Sequence, residues 1–324
     1  MDPSNGTPRP RRPASANASA HLPLRLRVAR ALLRGWPLPR GRDRVERLLL
    51  GGFRRWPERA DVPFAFGTLV DASLSAWPLG YRELFLHGQM EPSQVAVWRA
   101  VLRPGDVVVD GGANWGYWTL VAAALVRPGG RVFAFEPLPD TAAALRRNLE
   151  ASGAPEVTLV QAGLDARPGT LALHVFADDP SGGFTSAGVP GALRPLRSVS
   201  VPAESLDDFA AREGVHPVLV KLDVEGGERA ALLGARGLLA GERAPVVSFE
   251  WNEETAASMG YHPRDVLALL TAEGYRAYLP DARGALHPFD PAAEAATPMV
   301  WCVPPSGPGR ERLARLLPAA EGGR

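Results

Sequence analysis

Residues 106–119 read Asp-Val-Val-Val-Asp-Gly-Gly-Ala-Asn-Trp-Gly-Tyr-Trp-Thr, and this stretch constrains the fold more than any other. Three consecutive valines with no polar alternation indicate a strand covered on both faces, as in a parallel sheet. The strand ends at Asp110. The glycine-rich run behind it lets the backbone turn tightly against a ligand, and residues 115–126 then read as a helix whose N-terminus faces that ligand. A strand, glycine loop and helix in this order suit a nucleotide-like molecule, although any βα turn of an α/β protein can look similar.

The rest of the chain repeats the alternation. A helix is expected from Glu91-Pro92-Ser93 to about Leu102, with proline in its first turn. Strands follow at 131–135 and 157–161, with a helix at 140–151 between them. Further strands are expected at 171–176 and 198–201, and a helix at 204–212. Residues 178–196, rich in glycine, proline and serine, read as a long loop or lid. Residues 218–226 read as another buried strand that turns polar at its C-terminal end, 227–239 as its helix, and 244–251 as the next strand. After a helix at 263–272, strands at 275–279 and 298–303 are joined only by a loop, so they should be antiparallel and close one edge. Short apolar strands alternating with helices of this length predict an α/β fold with a mostly parallel sheet.

Composition divides the chain unevenly. Residues 1–60 hold 14 arginines against Asp2, Asp43, Glu46 and Glu58, a balance of +10, which leaves 22 basic and 31 acidic residues, −9, for the rest. The expected organisation is a basic arm over 1–60, disordered or partly helical, and a domain over 61–303. That domain has an irregular or hairpin lead-in at 61–90 and a core at 91–303. A tail over 304–324 has room for a short helix at 311–317. The single cysteine, Cys302, excludes an intramolecular disulfide and suits a cytoplasmic protein. No apolar run is long enough to span a bilayer as a helix. There are 35 arginines but a single lysine, Lys221. A site that needs a compact or deprotonable cation would require lysine there.

In open α/β sheets ligands bind beyond the carboxyl ends of the strands. Four such ends carry Asp110, Glu136, Asp223 and Glu250. Strand alternation puts Lys221, Asp223 and Glu225 on one face and Glu250 with Asn252 on the next strand. Lys221 should pair with Asp223 or Glu225 as a structural ion pair, or else serve as a base for a substrate hydroxyl. A Mg²⁺ site built from Asp223, Glu250 and Asn252 is a further reading. His262 is a weaker base candidate, and His87 and His216 weaker still. A dinucleotide-binding oxidoreductase using NAD(P) is an alternative. The turn, however, departs from Gly-x-Gly-x-x-Gly, and Asp110 would repel a pyrophosphate, whereas it suits a cationic ligand such as S-adenosylmethionine.

The motif at 110–119, Phe-Glu-Pro at 135–137, Lys-Leu-Asp-Val-Glu-Gly-Gly-Glu at 221–228 and Ser-Phe-Glu at 248–250, together with Glu91-Pro92 and Asn148, resemble the FkbM family of S-adenosylmethionine-dependent methyltransferases. The resemblance covers about residues 85–280 and departs from the pattern at Trp115 and Trp118. It implies a class I, Rossmann-like methyltransferase fold with a seven-stranded sheet, helices on both faces and an antiparallel C-terminal hairpin. It also implies O-methylation of a hydroxyl on a sugar, glycan or secondary metabolite, with S-adenosylmethionine as cofactor. Carried over by position, Asp110, Gly112, Asn114 and Gly116 would line the methionine end, Glu136 the ribose, and Gln161 and Ala162 the adenine. Lys221, Asp223 and Glu225 would face the methyl group and the acceptor. A non-catalytic cofactor-binding module is the rival that keeps the same fold. The expected partner is a small-molecule or glycan acceptor and not nucleic acid, since no Asn-Pro-Pro-aromatic or cysteine nucleophile motif accompanies the basic arm. Acceptor specificity is expected from 61–90 and 178–197.

Overall fold

The computed structural model describes residues 22–35, 41–51, 56–74, 81–176, 185–189, 191, 194–292 and 299–318. Its main sheet has strands β1 (Val107–Gly111), β2 (Arg131–Phe135), β3 (Val157–Val160), β4 (Leu219–Leu222), β5 (Val246–Glu250), β6 (Arg276–Pro280), β7 (Leu286–Pro288) and β8 (Met299–Val303). Their order is β7-β6-β8-β5-β4-β1-β2-β3. Strands β3, β2, β1, β4 and β5 run parallel, and β8 inserts antiparallel between β5 and β6. The sheet therefore has the expected α/β architecture with an antiparallel C-terminal pair. It has eight strands where seven were expected, because Leu286–Pro288 turns back and pairs with β6 at the edge.

Alternate residues of each apolar strand feed opposite faces of the sheet. Val108, Val132, Ala134 and Leu219 pack with Trp98, Leu120, Val121 and Leu145 on one side. Val109, Phe133, Val220 and Val247 pack with Phe209, Leu232, Val266 and Leu270 on the other. Covering both faces requires the unbroken apolar runs that mark these strands in the sequence. The helix expected at 227–239 is split into Glu228–Leu233 and Arg236–Leu239 at Gly234. A Cβ there would lie 2.3 Å from the Asp165 carbonyl oxygen.

A second, four-stranded sheet was not anticipated as a separate layer. It has the order Gly163–Leu164, Arg197–Glu204, Gly169–Val175 and Thr185–Ser186. Much of the loop expected at 178–196 falls outside the described residues.

The described part of the basic arm joins the body. Helices Leu24–Arg34 and Arg42–Leu50 lie within it, the first burying Leu26, Ala29 and Leu33. Arg34 donates from Nη2 to the carbonyls of Pro63 at 2.7 Å and Phe85 at 3.0 Å. The spacing of 26, 29 and 33 places three apolar side chains on one helical stripe, which is what draws the segment onto the domain. The lead-in is a hairpin, Arg59–Phe64 with Gly67–Ser73, followed by helix Arg82–His87. The tail helix is Pro308–Leu313, and Leu313 is buried in the core.

Candidate functional site

The carboxyl ends of β1, β2 and β4 surround a cavity of about 250 Å³, lined by Gly112, Asn114, Glu136, Ala162, Asp223 and Glu225 among others. The glycine loop forms its floor. Gly112 has φ +71°, and a Cβ on it would lie 1.8 Å from the Asp223 carbonyl oxygen, so two strand ends close on each other only because position 112 has no side chain. The Gly112 and Ala113 amides donate to the Phe135 carbonyl at 3.1 and 2.9 Å, which ties the loop to β2. Gly116 serves another purpose. It is the N-cap of helix Tyr117–Val126 at φ 93°, and it does not line the cavity.

Glu136 ends β2 with both oxygens engaged: the Asn114 amide donates to Oε2 at 2.9 Å and the Leu138 amide to Oε1 at 3.1 Å. Burial raises its carboxyl to about 7, against the lowering effect of those two amides. Asn114 reaches this position with φ 50°, a left-handed conformation that asparagine tolerates. Asn148, fully buried, supports the loop from behind, donating from Nδ2 to the Trp115 carbonyl at 2.8 Å and accepting at Oδ1 from Val70 N at 2.7 Å.

Lys221 and Asp110 sit beneath the loop, outside the cavity lining. Nζ of Lys221 donates to Asp110 Oδ1 at 3.0 Å and to the carbonyls of Gly111 at 3.3 Å and Gly112 at 3.1 Å, with Asp223 Oδ2 at 3.5 Å. Thr119 Oγ1 donates to the other Asp110 oxygen at 2.6 Å. Burial alone would lower the lysine pKa, but Asp110 and then Asp223 outweigh it and hold the group above its ordinary value. Lys221 is thus an ammonium with its donors engaged, which does not suit the base expected at this position. Its partners include Asp110 and Asp223, so the expected pairing with Asp223 is made and Asp110 is an acceptor beside it. Asp110, expected at the methionine end of the cofactor, meets the lysine and is not among the residues lining the cavity.

Asp223, Glu225 and Glu250 bring carboxylate oxygens within 4.8 Å of one another. Burial, then Glu250 and Asp223, push Glu225 up to about 10, and burial, then Asp223, push Glu250 to about 8. Such a group takes protons until a positive charge arrives. Asn252 does not complete it. The first turn of helix Glu253–Ser258 needs an acceptor, and Asn252 Oδ1 supplies it to the amides of Glu254 and Thr255, both at 3.2 Å. The amide nitrogen points the other way, to Glu250 Oε2 at 3.4 Å. Of the oxygen set expected for Mg²⁺, Asp223 and Glu250 are brought together, with Glu225 rather than Asn252 as the third group.

The turn that presents Asp223 and Glu225 is held from below by Glu228, 3% exposed. Its Oε1 accepts from Val224 N at 3.0 Å, and its Oε2 accepts from Gly226 N at 3.1 Å and from the Tyr261 hydroxyl at 3.0 Å. No local signal points to Tyr261, which lies 33 residues on, past strand Val246–Glu250 and helix Glu253–Ser258. Glu91 belongs to the surroundings as well. It keeps an exposed edge at φ 45°, yet the protein around it raises its carboxyl to about 6, with Asp223 adding repulsion.

At the far end Ala162 lines the cavity while Gln161 is exposed and does not. Leu164, Asp165, Leu171, Leu173 and Ala187, unforeseen, form the wall there, mostly from the second sheet. His262 accepts at Nδ1 from Arg264 N at 3.1 Å and caps its helix, and His87 meets Glu46 at 3.0 Å. His216 borders a separate surface depression.

Residues 110–277, more than half of the chain, match the model of the methyltransferase FkbM domain. The chain belongs to the FkbM methyltransferase family. A related sequence is the 31-O-demethyl-FK506 methyltransferase FkbM of Streptomyces tacrolimicus, 34% identical over 158 residues, covering 41% of this chain and 60% of that protein. The protein-L-isoaspartate O-methyltransferase of Aeropyrum pernix is 32% identical over 163 residues, covering 47% and 57%. The chain thus spans 60% or less of the length of these curated relatives. Among solved structures, the FkbM methyltransferase of Methylobacillus flagellatus aligns at 16% identity with a TM-score of 0.39, covering 66% of this chain and 56% of that one. The family match begins at Asp110 and takes in the glycine loop, Glu136 and the turn at 223–228. Helices Leu24–Arg34 and Arg42–Leu50 lie outside it.

Proposed function

We propose that the chain is an S-adenosylmethionine-dependent O-methyltransferase acting on a hydroxyl of a sugar, glycan or secondary metabolite. The observation that carries this reading is the pairing of the buried Glu136 at one strand end with the crowded carboxylates Asp223 and Glu225 at another, across one cavity. The donor set fits the cofactor. Glu136, braced by two backbone amides, is a strong acceptor for a ribose diol. The carboxylates offer the negative field that an ammonium and a sulfonium require, and Leu164, Leu171 and Leu173 supply an apolar wall for a purine, with the Asp165 carboxylate beside them. When bound, the cofactor supplies a methyl group on a positively charged sulfur.

The chain's own residues orient the acceptor and receive its proton. Asp223, whose side chain is 35% exposed, is the reachable carboxylate at the mouth and is assigned the acceptor-hydroxyl proton. Glu225 lies beside it, and the Lys221 ammonium holds Asp223 and the glycine loop in place through its three donors. Binding to the loop closes water out and fixes the approach of the two reactants, which is most of what a methyl transfer asks of a protein.

The test is calorimetric titration with S-adenosylmethionine and with NAD, followed by labelled-methyl transfer to a panel of hydroxylated acceptors. Binding of NAD with none of S-adenosylmethionine would replace this reading by an oxidoreductase, and cofactor binding without turnover on any acceptor would leave a binding module. EDTA treatment separates two ways of neutralising the carboxylates. Activity that survives it leaves the cofactor's own charge as the neutralising one.

A further inference from the structure

Among the described residues seven large apolar side chains are exposed, and four of them, Leu24, Val28, Leu32 and Leu48, lie on the two N-terminal helices. That concentration is not explained by docking onto the domain. Helix Leu24–Arg34 already uses Leu26, Ala29 and Leu33 for that purpose, and they are fully buried. Leu24, Val28 and Leu32 recur every fourth residue, so they form a second apolar stripe on the outward side of the same helix. They are 72%, 43% and 48% exposed.

The stripe has a basic border. Arg25 and Arg27 are exposed and lie to either side of it by helical spacing. Arg25 also donates to the Leu49 carbonyl, which brings the end of the stripe next to Leu48, 80% exposed, on the second helix. Over residues 22–51 the sequence has eight arginines against Asp43 and Glu46. An apolar ridge edged by arginine suits a surface that is apolar within and anionic at its face. A nucleic acid would use the arginines and leave the leucines in water, and a second copy of the helix would bring like charges together. We propose that helices Leu24–Arg34 and Arg42–Leu50 dock the protein on an anionic phospholipid membrane surface, with Leu24, Val28, Leu32 and Leu48 entering the headgroup layer.

The experiment is co-sedimentation of the full chain with vesicles of phosphatidylglycerol and phosphatidylcholine, against pure phosphatidylcholine, at roughly 0.15 M salt. Binding to the anionic vesicles is expected, at least tenfold weaker on the neutral ones. The triple variant Leu24→Ser, Val28→Ser, Leu32→Ser changes only outward side chains, so it should keep the wild-type melting temperature and lose at least tenfold in vesicle binding. Arg27→Glu with Arg44→Glu should weaken binding and remove its preference for anionic lipid. No binding to anionic vesicles, or binding untouched by the triple variant, overturns the proposal. A concentration-dependent dimer abolished by the triple variant, without vesicle binding, would assign the stripe to a second copy and overturn it as well.

Discussion

Lys221 and Asp110 occupy the same register on neighbouring parallel strands, and their side chains meet at 3.0 Å where neither is reached by solvent. Register explains the pairing. Residues level with each other on adjacent parallel strands project to the same face, so a lysine one residue away on β4 would point into the other layer. The pair is completed by Thr119, Asp223 and the carbonyls of Gly111 at the strand end and Gly112 in the loop. It therefore joins β1, β4, the glycine loop and the helix behind it at one point.

Removing one member should be far worse than removing both. Lys221→Met strands a buried carboxylate and should destabilise the fold by about 3–5 kcal/mol, with Asp110→Asn similar in direction. The double variant Asp110→Asn, Lys221→Met should recover a substantial part of that loss, read by denaturant unfolding. Lys221→Arg is expected to fail to substitute, since the planar guanidinium is too large for a pocket whose acceptors surround a single nitrogen. Additive losses in the double variant would mean that the pair is not coupled.

The crowded carboxylates predict a pH dependence with a definite sign. Burial holds Glu136 and Glu228 at about 7, Glu250 at about 8 and Glu225 at about 10, all above their ordinary 4.5. The folded state therefore binds these protons more tightly than the unfolded chain. Their favourable contribution is complete below pH 4.5 and is lost as pH rises through each folded value. The ligand-free protein should thus melt at progressively lower temperature from pH 5 to pH 10, measured by calorimetry. A cationic cofactor reverses this by favouring the ionised carboxylates, so its binding near pH 8 should release protons. Titrations in buffers of different ionisation enthalpy would expose the release, and identical heats in all buffers would contradict it.

The legible parts of the molecule were those written in local pattern. Val107–Val109 and Leu219–Val220 announce buried strands because both faces need apolar side chains, and Gly112 announces a turn because two backbones meet there. What stayed hidden depended on neighbours distant in sequence. The partner of Lys221 is set by strand register, which no local signal carries, so Asp110 went unrecognised as its main acceptor. The second sheet pairs the short Gly163–Leu164 with Arg197–Glu204, and neither segment has the apolar continuity that marked the main sheet. Asn252 read as a ligand at a strand end, but the orphan amides of the following helix claim its Oδ1 as their cap.

That capping role is testable. Asn252→Ala should cost about 0.5–2 kcal/mol through the lost cap, while Asn252→Asp, which keeps the acceptor, should keep the helix. The aspartate also adds a charge beside Glu250, so its stability should fall behind wild type as pH rises above neutrality. Equal stability of the alanine and wild-type chains in chemical unfolding would remove the capping role and reopen Asn252 as a ligand.

Two glycines with positive φ give a matched comparison of conformation against contact. Gly105, at φ 89°, has nothing within 4 Å of a built Cβ, so Gly105→Ala should cost only the left-handed backbone penalty, about 1–2 kcal/mol. Gly112→Ala carries the same kind of penalty at φ 71° and in addition drives a methyl group to 1.8 Å from the Asp223 carbonyl oxygen. Backbone cannot yield as a side-chain tip does, so β4 and the glycine loop must separate, and with them Asp223 and Glu136. Gly112→Ala is therefore expected to lose cofactor binding by at least tenfold even in preparations that remain folded, whereas Gly105→Ala should bind as wild type does. Calorimetric titration of both variants, alongside their melting temperatures, distinguishes the two effects, and equal affinities would show that the close approach at Gly112 is not needed for the site.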